Sequence, residues 1–145
     1  MVPINYLAVL VCGILAMALG MLWYGPLFGK QWMKLSGMPA DAMERAKNDP
    51  KIKNKMYLGY AITFVAALVA AFVLDHALIF AEAYMGWRGV SAGLAVGFLN
   101  WIGFTVPSTL GMVLWEGKSW KYWWIVAGFW AVFLCLSGVI LAVWM

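Results

Sequence analysis

Asp75, His76 and Glu82 form the one cluster of acidic and imidazole side chains outside a lysine-rich segment of this chain. A carboxylate beside a histidine can hold or pass a proton, because imidazole titrates near neutral pH. The three follow a long apolar run, and an ionised group at the centre of a bilayer is costly. They are therefore expected at a wet outer rim, as a titratable cluster. Asn100 is the strongly polar side chain nearest the middle of an apolar run. Its amide can bind a polar solute or an ion. Its expected role is a hydrogen bond to a neighbouring helix, contributing roughly 1 kcal/mol. Pro107, with Thr105, Ser108 and Thr109 around it, withdraws the donor that would meet the carbonyl of Gly103. A carbonyl freed in this way can line a solute path. The nearby hydroxyls can equally close it, and a simple kink is expected. Asn100, Thr105, Pro107 and Ser108 are the candidate polar intramembrane site.

Little else in the chain offers chemistry. Cys12 and Cys135 each lie inside an apolar run, without metal-ligand spacing, and one histidine cannot complete a zinc site with them. Both are expected to be small buried packing residues. Glu116-Gly117-Lys118, between Trp115 and Trp120, reads as a tight interfacial turn. No serine–histidine pair, phosphate loop or metal set is recognisable. No catalytic residue, cofactor or metal is expected, and the chain is not expected to be an enzyme.

The elements that carry these residues follow from composition. Of 145 residues, 66% are apolar and only 11% charged, against about 25% charged in an average soluble domain. A small water-soluble domain must show most of its residues to solvent, and the polar side chains here are too few to cover that surface. Lipid must be the solvent. At about 20 residues per crossing, four spans and their loops use up the length and leave no room for a separate soluble module. The fold class is therefore all-α: an integral membrane bundle of four transmembrane helices in one domain.

The spans are expected at 4–23, 56–80, 90–115 and 122–144. No Lys or Arg precedes the first, so it is expected to be retained as a helix and not removed as a signal. It ends in Trp23-Tyr24-Gly25-Pro26, with two rings suited to the headgroup boundary and then a helix break. Trp23, Tyr24, Trp32, Trp115 and Trp120 are the expected interfacial anchors. Between the first two spans lies a basic loop, 27–55, holding Lys30, Lys34, Arg45, Lys47, Lys51, Lys53 and Lys55. Its first part reads as a short interfacial helix, with Lys30 and Lys34 on one face. A second short helix is expected to open near Asp41 and to end at Asn48-Asp49-Pro50. The third span, with Asn100 and Pro107, is expected to tilt or kink.

Seven of the ten basic residues lie in the first loop, Arg88 alone in the second, and Lys118 and Lys121 in the third. The positive-inside rule then makes the first and third loops cytoplasmic and puts both termini outside, in a multi-pass inner-membrane protein. No nucleic-acid-binding pattern accompanies the basic run, so membrane lipids are its expected partners and nucleic acid is not. Small residues recur at four-residue steps: Ala8, Cys12, Ala16 and Gly20; Gly59, Thr63, Ala67 and Ala71; Gly89, Gly93 and Gly97; Ala127, Ala131 and Cys135. Such stripes let helix backbones approach, which in lipid is a main source of helix association.

Several stretches together resemble the DUF1761 family of small bacterial and fungal membrane proteins of unknown function. They are Asn5-Tyr6-Leu7-Ala8-Val9-Leu10, the run Leu22-Trp23-Tyr24-Gly25-Pro26-Leu27-Phe28-Gly29-Lys30 with Trp32-Met33, Trp115-Glu116-Gly117-Lys118 with Trp120, and Gly138-Val139-Ile140-Leu141-Ala142-Val143-Trp144. The resemblance covers both ends of the chain and little of 38–90. It implies a four-helix membrane protein, with no assigned activity and no catalytic residue to carry over.

Two functions are weighed. The preferred one is a helix-packing or interaction protein, acting as a homo-oligomer or as an accessory subunit of a larger membrane complex. It rests on abundant packing features with no charged residue in the middle of a span. The alternative is a small solute or ion transporter or channel working as a homo-oligomer. A membrane enzyme using Asp75, His76 and Glu82 is ranked last.

Overall fold

Asn5 opens the first helix, its side-chain carbonyl accepting from the Ala8 N–H at 3.1 Å, and α1 then runs Tyr6–Leu22. The computed structural model describes residues 4–39 and 41–144, every element among them being helical. After α1 the chain passes through a π-helical turn, Trp23–Leu27, where Gly25 leaves helical geometry (φ −102°, ψ −106°) and Pro26 has no donor to give. This is the break expected from Gly25-Pro26. Two short helices follow, α2 (Gly29–Ser36) and α3 (Ala42–Asn48).

Helix α4 (Pro50–Met85) is longer at both ends than the expected 56–80. Asp49 caps it by accepting from the Lys51 N–H at 2.8 Å, and Pro50 occupies the first turn, where its missing donor costs nothing. At the far end Gly86 takes a left-handed φ of +67°, which stops the helix. Lys51, Lys53 and Lys55 therefore belong to the first turns of a helix, not to a loop. At 1.5 Å per residue α4 is about 54 Å long, well beyond the roughly 30 Å of a hydrocarbon core.

The third run holds α5 (Gly89–Asn100), a π-helical turn (Trp101–Thr105), α6 (Val106–Thr109) and α7 (Gly111–Leu114). The irregularity expected at Pro107 sits one turn earlier. A proline ring crowds the preceding turn and supplies no donor, and the chain relieves this by widening to an i→i−5 bond, Val106 N–H to Trp101 O. The last helix is α8 (Trp120–Trp144). Four helical runs, Tyr6–Leu27, Pro50–Met85, Gly89–Leu114 and Trp120–Trp144, are long and apolar enough to cross a bilayer.

Helix α8 fills the centre, touching α5, α1 and α4, while α4 also touches α1 and α5. Its closest partner is α5. A Cβ placed on Gly97 would come within 2.8 Å of Cys135 Cα, and Gly93 and Gly138 meet backbone to backbone. Only residues without a side chain let the two helices come this near. The expected small faces are met at Ala8, Cys12 and Ala16, at Ala67 and Ala71, and at Ala127, all buried. Gly59 and Thr63 instead lie exposed, and Gly89 stands at the start of α5 with φ +69°.

Two hydrogen bonds define the ends of the bundle. Asn5 Nδ2 donates to Trp144 O at 3.2 Å, so the start of α1 meets the end of α8. Lys118 Nζ donates to Ser36 O at 3.3 Å, so the 115–119 turn meets α2. Among the expected anchors, Trp115 and Trp120 are exposed, and Tyr24 and Trp32 stack edge to face at 5.3 Å. Trp23 departs from that role. Its ring turns inward and Nε1 donates to Ile125 O at 2.9 Å.

Candidate functional site

Polar atoms are scarce inside this bundle, so the few present stand out. Asp75 lies on α4 ten residues before its end at Met85, about 15 Å along the axis. The expectation of a wet rim fails here: Asp75 is 1% exposed, and neither carboxyl oxygen has a hydrogen-bond partner. The reason is that α4 continues past the rim while the start of α1 and the end of α8 close over this face. The carboxyl is near enough to His76, to the Cys12 thiol and to the Asn5 backbone N–H to interact electrostatically with them. The Asn5 amide approaches without reaching hydrogen-bond geometry.

Ser137 of α8 and Cys12 of α1 complete a polar junction of three helices. Both are fully buried. The Cys12 thiol donates to Ser137 O at 3.8 Å, while Ser137 Oγ has no partner. Cys12 is therefore more than filler. Cys135 is half-buried beside the α5–α8 contact.

Above this junction lies an open pocket of about 590 Å³, lined by Ile4, Asn5, Ile79, Glu82, Ala83, Arg88 and Trp144. Asp75, Ile79 and Glu82 are spaced i, i+4, i+7, which sets them along one face of α4. The pocket thus stands one helical turn beyond the buried carboxyl. Glu82 is half-buried and pairs with Arg88, Nε to Oε1 at 2.8 Å, an ion pair that joins α4 to the residue that opens α5. His76 does not join the pocket; its Nδ1 lies 2.8 Å from Phe72 O one turn back. The expected trio is therefore divided: Asp75 inside, Glu82 at a pocket wall, His76 turned to its own helix.

A family model described as "Protein of unknown function (DUF1761)" matches residues 7–142. The chain belongs to the DUF1761 family. No curated protein and no solved structure matches it.

In this DUF1761 chain the second set of candidates is quieter. Asn100 Nδ2 donates to Val96 O at 2.9 Å, within its own helix and not across to a neighbour. Ser108 Oγ donates to Phe104 O at 2.6 Å, and Thr109 Oγ1 to Thr105 O at 2.6 Å. The hydroxyls around Pro107 thus turn back on the carbonyls of Phe104, Thr105 and Val106, and neither bonds the Gly103 carbonyl that they were expected to close. Thr105 offers its carbonyl as acceptor to both neighbours. Pro107 and Ser108 face outward.

Sequence reasoning missed Ser137 and Arg88 as site residues and gave Asp75 the wrong surroundings. Arg88 had a signal. It is the one Lys or Arg between Lys55 and Lys118, six residues past Glu82, with Gly86 to turn the chain between them. Ser137 had none, because a serine in an apolar helix ordinarily satisfies itself on its own backbone.

Proposed function

We propose that this protein is a small transporter working as a homo-oligomer, with Asp75 as the group that carries a coupling proton. One observation supports the reading: a carboxyl sealed inside a helix long enough to span a bilayer, with both oxygens unpartnered. Buried polar groups are nearly always hydrogen-bonded, and an ionisable residue in a membrane segment is a functional-site candidate by default. The preference for a pure packing protein rested on the lack of a charged residue in the middle of a span. The burial of Asp75 between helices weighs against it. Helix α8 occupies the bundle axis, with Phe133 and Leu141 filling it, so a path for solute runs along a side of the bundle. A second copy would supply its other wall. In this reading the lysine-bearing end faces the cytoplasm, and the pocket with both chain ends faces outward across the inner membrane.

The test is proton movement in liposomes that hold the purified protein and a pH-reporting dye, with candidate small solutes added in turn. Wild-type vesicles are expected to dissipate an imposed pH gradient faster than empty ones. Asp75→Asn should return them to the empty rate, and Asn100→Ala should leave flux unchanged. Equal rates for wild type and Asp75→Asn overturn the proposal.

An accessory-subunit reading has one observation of its own. Added side chains at Gly59 and Gly103 would meet nothing, which leaves two helix faces open to another chain. A dedicated partner that stays bound on gentle extraction, with no proton flux, would move the conclusion there.

A further inference from the structure

We infer that the pocket at the outer end takes a small amphipathic organic cation, a protonated amine with an apolar body, and that Asp75 is its counter-charge. The inference rests on the transport reading and names its substrate class. Arg88, Glu82, His76 and Asp75 carry the charge chemistry at this end of the bundle, and the His76 ring is turned to Phe72 O of its own helix. Arg88 and Glu82 neutralise each other at 2.8 Å across the pocket. Asp75, sealed one turn below, has no such partner. What completes the set is a single positive charge delivered from the pocket side.

Lining chemistry narrows the rest. Ile4, Ile79, Ala83 and the Trp144 indole give an apolar wall, with the Asn5 amide as one neutral polar group. Trp144 can also receive a cation over its ring face. The volume of about 590 Å³ falls within the usual range of small-molecule sites. An inorganic cation would leave that apolar wall without a role. A carboxylate or phosphate would find the one lining cation, Arg88, already paired with Glu82. Ile79, between Asp75 and Glu82 on their common face, is the side chain that must move aside for an ammonium group to reach the carboxyl. The Arg88–Glu82 pair is largely exposed on the arginine side, hence weak and easily parted, so the mouth can open.

The experiment compares three probes of one size, benzylammonium, benzyl alcohol and benzoate, by the rise they cause in the thermal midpoint of the full-length protein in detergent. Benzylammonium is expected to stabilise the wild type, and the alcohol and the anion to leave it unchanged. Asp75→Asn should weaken benzylammonium binding at least tenfold, and Glu82→Gln by less than threefold. The midpoint of Asp75→Asn without probe should stay at or above that of the wild type, showing that the loss is not unfolding. Stabilisation by benzyl alcohol equal to that by benzylammonium overturns the inference, as does full binding by Asp75→Asn. Benzylammonium binding without proton flux in liposomes sinks the transport reading alone. Proton flux without benzylammonium binding sinks this inference alone.

Discussion

Ser137 and Gly138 are consecutive on α8 and meet opposite surroundings. Gly138 lies backbone to backbone against Gly93 of α5. Ser137 meets Cys12 of α1 through its backbone carbonyl, and its hydroxyl, like the Asp75 carboxyl of α4, is buried without a partner. One face of the central helix is built for contact and the other tolerates unsatisfied polar atoms. A protein selected only to pack would fill the second face as it filled the first. Groups that cost stability and persist mark places where function is served.

That contrast can be broken in four ways, and the largest effect belongs to the tight face. Gly97→Leu places a side chain where Leu134 and Cys135 backbone already stand. Because no flexible side chain can yield there, the loss is expected to exceed about 3 kcal/mol, read as collapse of the folded fraction in detergent. A tolerated Gly97→Leu would show that α5 and α8 are not held by close approach.

On the polar face the sign reverses. Asp75→Leu removes two unpartnered buried oxygens, so thermal stability should rise by about 1–3 kcal/mol while proton flux disappears. A stability loss of similar size would mean that Asp75 is held by interactions its surroundings do not reveal, and the two faces would no longer differ in kind.

Trp101→Phe tests a bond that ties the π-helical turn after α5 to α8. Its indole Nε1 donates to Ala127 O at 2.8 Å, and that carbonyl also belongs to the α8 ladder, so the loss should be about 1 kcal/mol. Smallest is Ser137→Ala. With no bond to lose, its melting midpoint should stay within about 0.5 kcal/mol of wild type; a large drop would show a partner for Ser137 Oγ.

The four spans were legible because composition and run length decide them, and the Gly25-Pro26 break because proline leaves little choice. The small faces were legible in part. A strict four-residue step advances about 400° and so drifts roughly 40° around the helix each time. Following Ala127 and Ala131 thus reaches the contact at Cys135, where the Cα faces Gly97, but misses Gly138, three residues on, which meets Gly93. Gly59 and Thr63 fit the step of α4 but lie beyond where its neighbours reach. Asp75 was misread for a related cause. Periodicity says which residues share a face, not which helix covers that face, and only the return of α8 and the start of α1 seal it. The Arg88–Glu82 pair depended on a turn whose geometry Gly86 hinted at but did not define.

Helix α4 carries one last consequence. It runs without a break from the lysines at one end to Glu82 at the other, so it behaves as a stiff lever. Tilting it by about 10° around the pocket swings the Lys51 turn by roughly 8 Å at the opposite surface. Under the proposed reading, occupancy of the pocket would in this way be felt as displaced charge at the far end of α4.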